Sequence, residues 1–319
     1  MKKTLIALAA LASVSAFAQS SVTLFGRLDA SIGSTTTTTN GVKAAAANQM
    51  YNGNMTGSRW GMIGTEDLGG GLKANFKIEN RFSVDTGTDT TGFTGESWVG
   101  LSGGFGEVQL GRTYTAFDGA KAVSVSSSVF DTAFTPNAVP AYTVRGDNQV
   151  KYVSPAMSGF NVVLSTAMKE STTAGAKDTN GIAAVYAAGP MKFAVGSQSD
   201  TAGKNTVFSG SYDLGVASVS AGYGTLALVN AGNESNGYNL GVNVPMGAVS
   251  FSVGYANGKT ETAAGAKVSD YSGVGVGVKY ALSKRSTVYA GYKDEKTKNT
   301  SGVVTTGTKL YAVGLRHDF

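Results

Sequence analysis

Few residues in this chain can do covalent chemistry. There is one histidine, His317, beside Asp318, and there is no cysteine among the 319 residues. Thiol catalysis and cysteine metal sites are therefore excluded. A Ser-His-Asp arrangement would have to use His317. That residue shares parity with Phe319, which places it on the outward face of an alternating C-terminal segment. The Gly273-x-Gly275-x-Gly277 run is no phosphate cradle: its glycines alternate with valines on a strand pattern, and no helix follows. No catalytic residue, cofactor site or metal site is assigned. Asp270, Asp294 and Glu295 read as solvated loop charges.

What remains is electrostatic. Arg27, Lys73, Lys77, Arg81, Lys279 and Arg316 fall on the polar face of period-two segments, as does Arg59. The acids on the same faces are fewer: Asp29, Glu79, Glu107 and Asp318. Cations gathered along one wall attract anions and raise their local concentration. The whole-chain charge is mild, 26 basic against 21 acidic residues, and shows no clustered basic patch of the kind nucleic acid requires.

The elements that carry these residues are strands. In Val22–Ile32, Val22, Leu24, Leu28 and Ile32 share one face while Thr23, Arg27, Asp29 and Ser31 share the other, the alternation of a β-strand. Leu72, Ala74, Phe76 and Ile78 alternate likewise with Lys73, Asn75, Lys77, Glu79 and Arg81. The pattern recurs to the end of the chain, giving about sixteen strands, most near ten residues, within the range of a transmembrane barrel. Short connections (Asp67–Gly71, Gly103–Gly106, Gly189-Pro190) alternate with long ones (Ser34–Gly57, Thr260–Asp270, Lys296–Thr308). Thr35–Thr39 reads as exposed loop. Several aromatics, among them Trp60, Tyr223, Tyr255 and Tyr311, sit near strand ends on the apolar face, as in interfacial girdles.

The expected fold is all-β: a sixteen-stranded antiparallel transmembrane barrel whose third long external connection constricts the lumen. That connection is 116–148, where alternation fails and Pro136 and Pro140 appear. Structureless runs of this length are uncommon unless functional. Residues 1–18 read as a signal peptide: Lys2 and Lys3, an apolar run from Leu5 to Val14, then Ala16-Phe17-Ala18 as a cleavage site. Residues 19–319 then form a single transmembrane barrel.

Several stretches resemble the general diffusion porins of Gram-negative outer membranes, and most of all the beta-proteobacterial branch. They are SSVTLFGRLDASIG (20–33), SRWGMIGTEDLGGGLKANFKIENRF (58–82), GLSGGFGEVQLGRTY (100–114), DNQVKYVSPAMSGF (147–160), YALSKRSTVYAGY (280–292) and YAVGLRHDF (311–319). Together they span nearly the whole mature chain. The resemblance implies a water-filled channel, not an enzyme, for passive diffusion of small ions and hydrophilic solutes. It implies a homotrimer among outer-membrane lipids and lipopolysaccharide, with a C-terminal strand, here Tyr311 to Phe319, read by the barrel-assembly machinery. It also implies a basic wall at Arg27, Arg59, Arg112 and Arg145, facing loop acids that here are Asp118 and Asp131, and the excess of luminal bases points to an anion preference. A Pro-Glu-Phe-like loop motif common in relatives is missing, and Gly95-Glu96 stand where some relatives carry arginines. Arg112 shares parity with Val108 and Leu110, so a luminal Arg112 requires a bulge; Arg145 lies outside any regular strand pattern. A substrate-specific channel with a saturable site is the alternative function, and an outer-membrane barrel enzyme a more remote one.

Overall fold

The computed structural model describes residues 20–89, 91–125, 129–130, 133–228 and 232–319. The expected signal peptide, 1–18, and the expected loop acid Asp131 lie outside these residues. The strands are β1 (Ser21–Thr39), β2 (Val42–Lys43), β3 (Ala47–Asn52), β4 (Arg59–Gly69), β5 (Leu72–Arg81), β6 (Ser97–Gly103), β7 (Gly106–Tyr114), β8 (Arg145–Val153) and β9 (Phe160–Ala167). They continue with β10 (Thr179–Ala188), β11 (Met191–Ser199), β12 (Gly203–Asp213), β13 (Ser218–Leu228), β14 (Asn233–Met246), β15 (Val249–Thr262), β16 (Lys267–Ala281), β17 (Ser286–Asn299) and β18 (Val304–Asp318).

From β4 to β18 consecutive strands pair antiparallel, and β1 pairs with β18 from Arg27↔Asp318 to Thr39↔Thr306, which closes the sheet. On its other edge β1 meets β4 at Ser21–Arg27, β3 at Ala30–Thr35 and β2 at Thr38–Thr39. Those three pieces are one broken stave, so the wall is a closed sixteen-stranded antiparallel barrel. Closure leaves no unpaired edge, the condition for a sheet to sit in hydrocarbon. No helix of the described residues is long and apolar enough to cross a membrane.

The faces follow the sequence alternation. Val22, Leu24, Leu28 and Ile32 are exposed on the outer surface, and so are Trp60, Tyr223, Tyr255 and Tyr311. Asp29, Ser31, Glu79, Gln109, Gln149, Ser165, Gln198, Asn205 and Asn239 are buried inside. The protein is apolar outside and polar within, the inverse of a water-soluble domain.

Connection lengths depart from expectation. Thr35–Thr39 is strand, paired with Thr306–Leu310, and β17 and β18 are joined across Asn299–Val304 by a tight turn instead of a long loop. The six strands β1 and β14–β18 run for 14–19 residues, beyond the length needed to span the membrane. Threonines and charged residues read as loop by polarity, yet ladder pairing satisfies their backbones, and β-branched Thr suits a strand.

The segment after β7 enters the lumen. Thr115 caps helix α1 (Ala116–Ala122), its hydroxyl accepting from the Asp118 N–H at 3.3 Å, with Asp118 in the first turn and Lys121 in the last, matching the helix dipole. Buried Ala116, Phe117 and Ala120 pack on Ala183, Ala194 and Val207. Those wall residues alternate with the exposed Ile182, Val195 and Phe208, so they point inward. The Ser165 hydroxyl accepts from the Ala116 N–H at 3.0 Å, and Ser209 donates to the Ala120 carbonyl at 2.6 Å. Further along, the segment follows inward glycines: the Phe134 carbonyl lies against Gly275, that of Ala138 against Gly237, and the Phe134 ring over Gly291. The Gly273-x-Gly275-x-Gly277 run is thus the floor on which this segment lies.

At Gly237 and Gly275 a Cβ would occupy the place of a loop carbonyl oxygen. Gly275→Val and Gly237→Val should each destabilise the barrel by about 1–3 kcal/mol, the cost of overpacking. Thermal unfolding of the detergent-solubilised protein, monitored by circular dichroism, checks this against Gly104→Ala, where a Cβ meets nothing and the backbone is unstrained.

Candidate functional site: a row of arginines on the inner wall

Register sets the centre of the site. Arg27 lies directly across from Arg59, and Arg59 directly across from Arg81. Three guanidinium groups therefore leave adjacent staves at one level and on one face. Like charges directly opposite in a sheet repel, so each needs compensation. Arg27 Nε is 2.6 Å from Asp318 Oδ1. Glu79, with 1% exposure, sits among the others: Arg81 reaches its Oε1 at 2.9 Å, Arg59 at 3.7 Å, and Lys77 reaches Oε2 at 3.5 Å. Lys77 also pairs with Glu96. Arg59 Nε donates to the Gly57 carbonyl at 3.0 Å.

Arg145 extends the cluster from the far side of the long segment. It is the first residue of β8 rather than loop. Its guanidinium lies 4.0 Å from the centre of the Tyr114 ring and bonds the Tyr114 hydroxyl, to which Arg81 also donates at 3.4 Å. A cation over an aromatic face is held by the ring quadrupole.

Arg112 is not brought into this cluster. The register does shift between Gly111 and Thr113, but one β7 residue there faces two on β8, Asp147 and Asn148. The extra residue is on the partner strand, so Arg112 keeps the outward parity it shares with Leu110 and stands opposite Ser97. It donates to the Thr94 carbonyl at 2.9 Å and pairs with Asp147. Arg81, which the alternation places inward, stands in the row instead.

The remaining expected residues are accounted for as follows. Arg316 grips Asp318 with Nε at 3.1 Å and Nη2 at 2.5 Å. Lys73 lies at the short-turn end, across from Ser102. Asp118 accepts from the Tyr142 hydroxyl at 2.8 Å and so ties the outgoing limb of the long segment to its returning limb. Burial pushes its carboxyl above the ordinary range, and pushes the Tyr142 hydroxyl up as well. A cavity of about 360 Å³ beside the row has Arg27, Lys279 and Arg316 on one side and Ala122, Val125 and Phe130 on the other. Tyr114 and Thr56 take part in the site with no signal in the sequence, and Glu96, noted there only as a departure from relatives, is an acid of the site. Glu96 precedes β6, and Tyr114 and Thr56 adjoin chain reversals, where parity carries no information.

His317 stands opposite Leu28 on the outer face, its Nδ1 2.9 Å from Ser286 Oγ. The neighbouring Asp318 is committed to Arg27 and Arg316, so the three do not form a relay. The site's chemistry is attraction of charge.

A family model described as Gram-negative porin matches residues 4–300. This chain is a Gram-negative porin. It is 33% identical over 345 residues to outer membrane porin protein 32 of Delftia acidovorans, covering 99% of this chain and 95% of that protein. It is 30% identical to major outer membrane protein P.IB of Neisseria meningitidis, with both chains fully covered. Among solved structures, an anion-selective porin from Comamonas acidovorans superposes with a TM-score of 0.78 at 26% identity, over 94% of this chain and 100% of that one. The porin lies in the outer membrane and forms a channel through it; family members are oligomeric channels that pass solutes.

Glu79 is the counter-charge on which Arg59 and Arg81 converge. Glu79→Gln should destabilise the porin by about 2–4 kcal/mol, somewhat below the ~3–5 kcal/mol of breaking a fully buried pair, because the arginines are partly exposed. It should also increase anion preference. Thermal unfolding and the reversal potential in a salt gradient read the two effects.

Proposed function

We propose that this porin passes small hydrophilic solutes with a preference for anions, and that 116–148 narrows its lumen beside the basic wall. One observation carries the reading: Arg27, Arg59 and Arg81 stand abreast at a single level of the wall. Two unit charges 5 Å apart interact by about 3 kcal/mol at an effective dielectric near 20. The acids at this level, Glu79 and Asp318, are shared among several cations: Glu79 by Arg59, Arg81 and Lys77, Asp318 by Arg27 and Arg316. The row therefore keeps net positive charge, and its Arg27 lines the cavity together with Lys279 and Arg316. Packing of α1 and Phe134 on the inner wall supports the narrowing.

The functional form is a homotrimer in contact with outer-membrane lipid and lipopolysaccharide, delivered by the barrel-assembly machinery after removal of residues 1–18. Family membership supports this, together with a broad apolar outer face. The terminal Phe319 supports recognition at assembly: its ring lies over Gly26 at the closing seam, and its N–H donates to the Gly26 carbonyl at 3.0 Å. Native mass measurement in mild detergent should give three copies per particle; a monomer alone contradicts the trimer.

Under a KCl gradient across a planar bilayer, the reversal potential should have the anion-selective sign. It should shrink as salt rises, because the Debye length falls from about 10 Å at 0.1 M to 3 Å at 1 M. Arg59→Ala and Arg81→Ala should each reduce the preference, by about twofold in permeability ratio for one charge of a focused cluster, and Arg112→Ala should leave it unchanged. A cation-selective wild type would refute the reading.

A further inference from the structure

Between β3 and β4 the second stave breaks, and Gly53–Ser58 folds into the lumen instead of continuing the ladder. Asn54, Met55, Thr56 and Ser58 are all buried there. One carboxylate holds the turn. Asp29 Oδ2 accepts from the Met55 N–H at 2.9 Å and the Thr56 N–H at 2.6 Å, and Oδ1 accepts from the Tyr289 hydroxyl at 2.5 Å. The Asp29 backbone N–H donates to Ser58 Oγ at 3.0 Å. Asp29 is wholly buried, so its charge is spent on these donors and little of it reaches the lumen.

The turn in turn holds arginines. Thr56 Oγ1 accepts from Arg27 Nη1 at 3.2 Å and from Arg59 Nη2 at 3.0 Å, and the Gly57 carbonyl accepts from Arg59 Nε. It also reaches the long segment: Met55 packs with Val129, Phe134 and Tyr289, and the Ala133 N–H donates to the Asn54 carbonyl at 3.3 Å.

We propose that Asp29, through the Gly53–Ser58 turn, is a positioning residue for ion selectivity: it holds Thr56 where one hydroxyl orients both Arg27 and Arg59, and it seats Val129, Ala133 and Phe134 of the long segment. The inference rests on the reading of the arginine row as the selectivity element and names what holds that row. Its signature runs against simple electrostatics. Deleting a luminal acid should strengthen anion preference if its charge is what counts. Releasing the turn should weaken anion preference, because the guanidinium groups lose their anchor and the lumen widens.

Asp29→Ala removes both the charge and the clamp. Asp29→Asn removes the charge but keeps the clamp, since its Oδ1 can accept the two N–H groups while its amide donates to Tyr289. Thr56→Val keeps the clamp and removes only the hydroxyl shared by the arginines; Thr56→Ser restores it. The chain has no cysteine, so Met55→Cys provides a clean probe of the turn, read by labelling with a charged maleimide in detergent.

In Asp29→Ala we expect labelling of the Met55→Cys probe to accelerate at least tenfold, single-channel conductance to rise, and the chloride-to-potassium permeability ratio to fall about twofold. Asp29→Asn should stay near wild type in labelling. Thr56→Val should lower the ratio without exposing the thiol probe, and Thr56→Ser should restore it; this pair decides the matter if Asp29→Ala fails to fold. Equal gains in anion preference in Asp29→Ala and Asp29→Asn would overturn the proposal in favour of charge alone. An unchanged ratio in Thr56→Val, where Arg59→Ala moves it, would overturn it while leaving the arginine reading intact. If Arg59→Ala itself leaves the ratio unchanged, that reading fails and this one falls with it, whatever the labelling shows.

Discussion

Hydrocarbon offers no hydrogen bonds, so every backbone group of this wall must find its partner in the wall itself. The pairing of β1 with β18 meets that demand, and the rest of the structure depends on it. Once the ladder closes, alternate residues are sorted to lipid or lumen without further choice. Leu28 and His317 face out together because they are opposite one another, and Arg27 and Asp318 face in together for the same reason. The closing residues carry their own detail: the Phe319 ring lies where Gly26 has no side chain.

A wall of this circumference encloses more space than its own side chains fill, and two inward segments occupy part of it. The long segment lies on small residues, with alanine and valine under α1 and glycine under Phe134 and Ala138. The shorter turn at Gly53–Ser58 is held by Asp29. The two meet where Met55 packs with Val129 and Phe134. The apolar clusters of this protein are thus not a central core but contacts between the wall and what is folded inside it.

Charge follows the same geometry. Three arginines in one row would be costly without counter-charges, and Glu79 and Asp318 supply them on the wall itself. With Glu96 on Lys77, three acids serve five cations, which leaves the row stable and still positive. Asp29 shows that an acid on the luminal face is not thereby a charge in the lumen: its oxygens are consumed by Met55, Thr56 and Tyr289.

Period two in the sequence determined the barrel, its inward and outward faces, and the placing of Arg27, Arg59, Lys77 and Arg81, because side-chain direction in a strand is a local property. Broken alternation marked the segment that folds inside. Tertiary structure alone decided which residues share a level. Register across neighbouring staves puts Arg81 beside Arg59, and the extra residue on β8 leaves Arg112 facing outward, and neither follows from one strand read in isolation. The polar ends of β1, β17 and β18 read as loop in the sequence, because paired strands beyond the membrane need no apolar face. The role of Thr56 was hidden for a related reason. It sits in a turn without periodicity, and its hydroxyl matters only because Asp29, 27 residues away in sequence, holds it against two arginines.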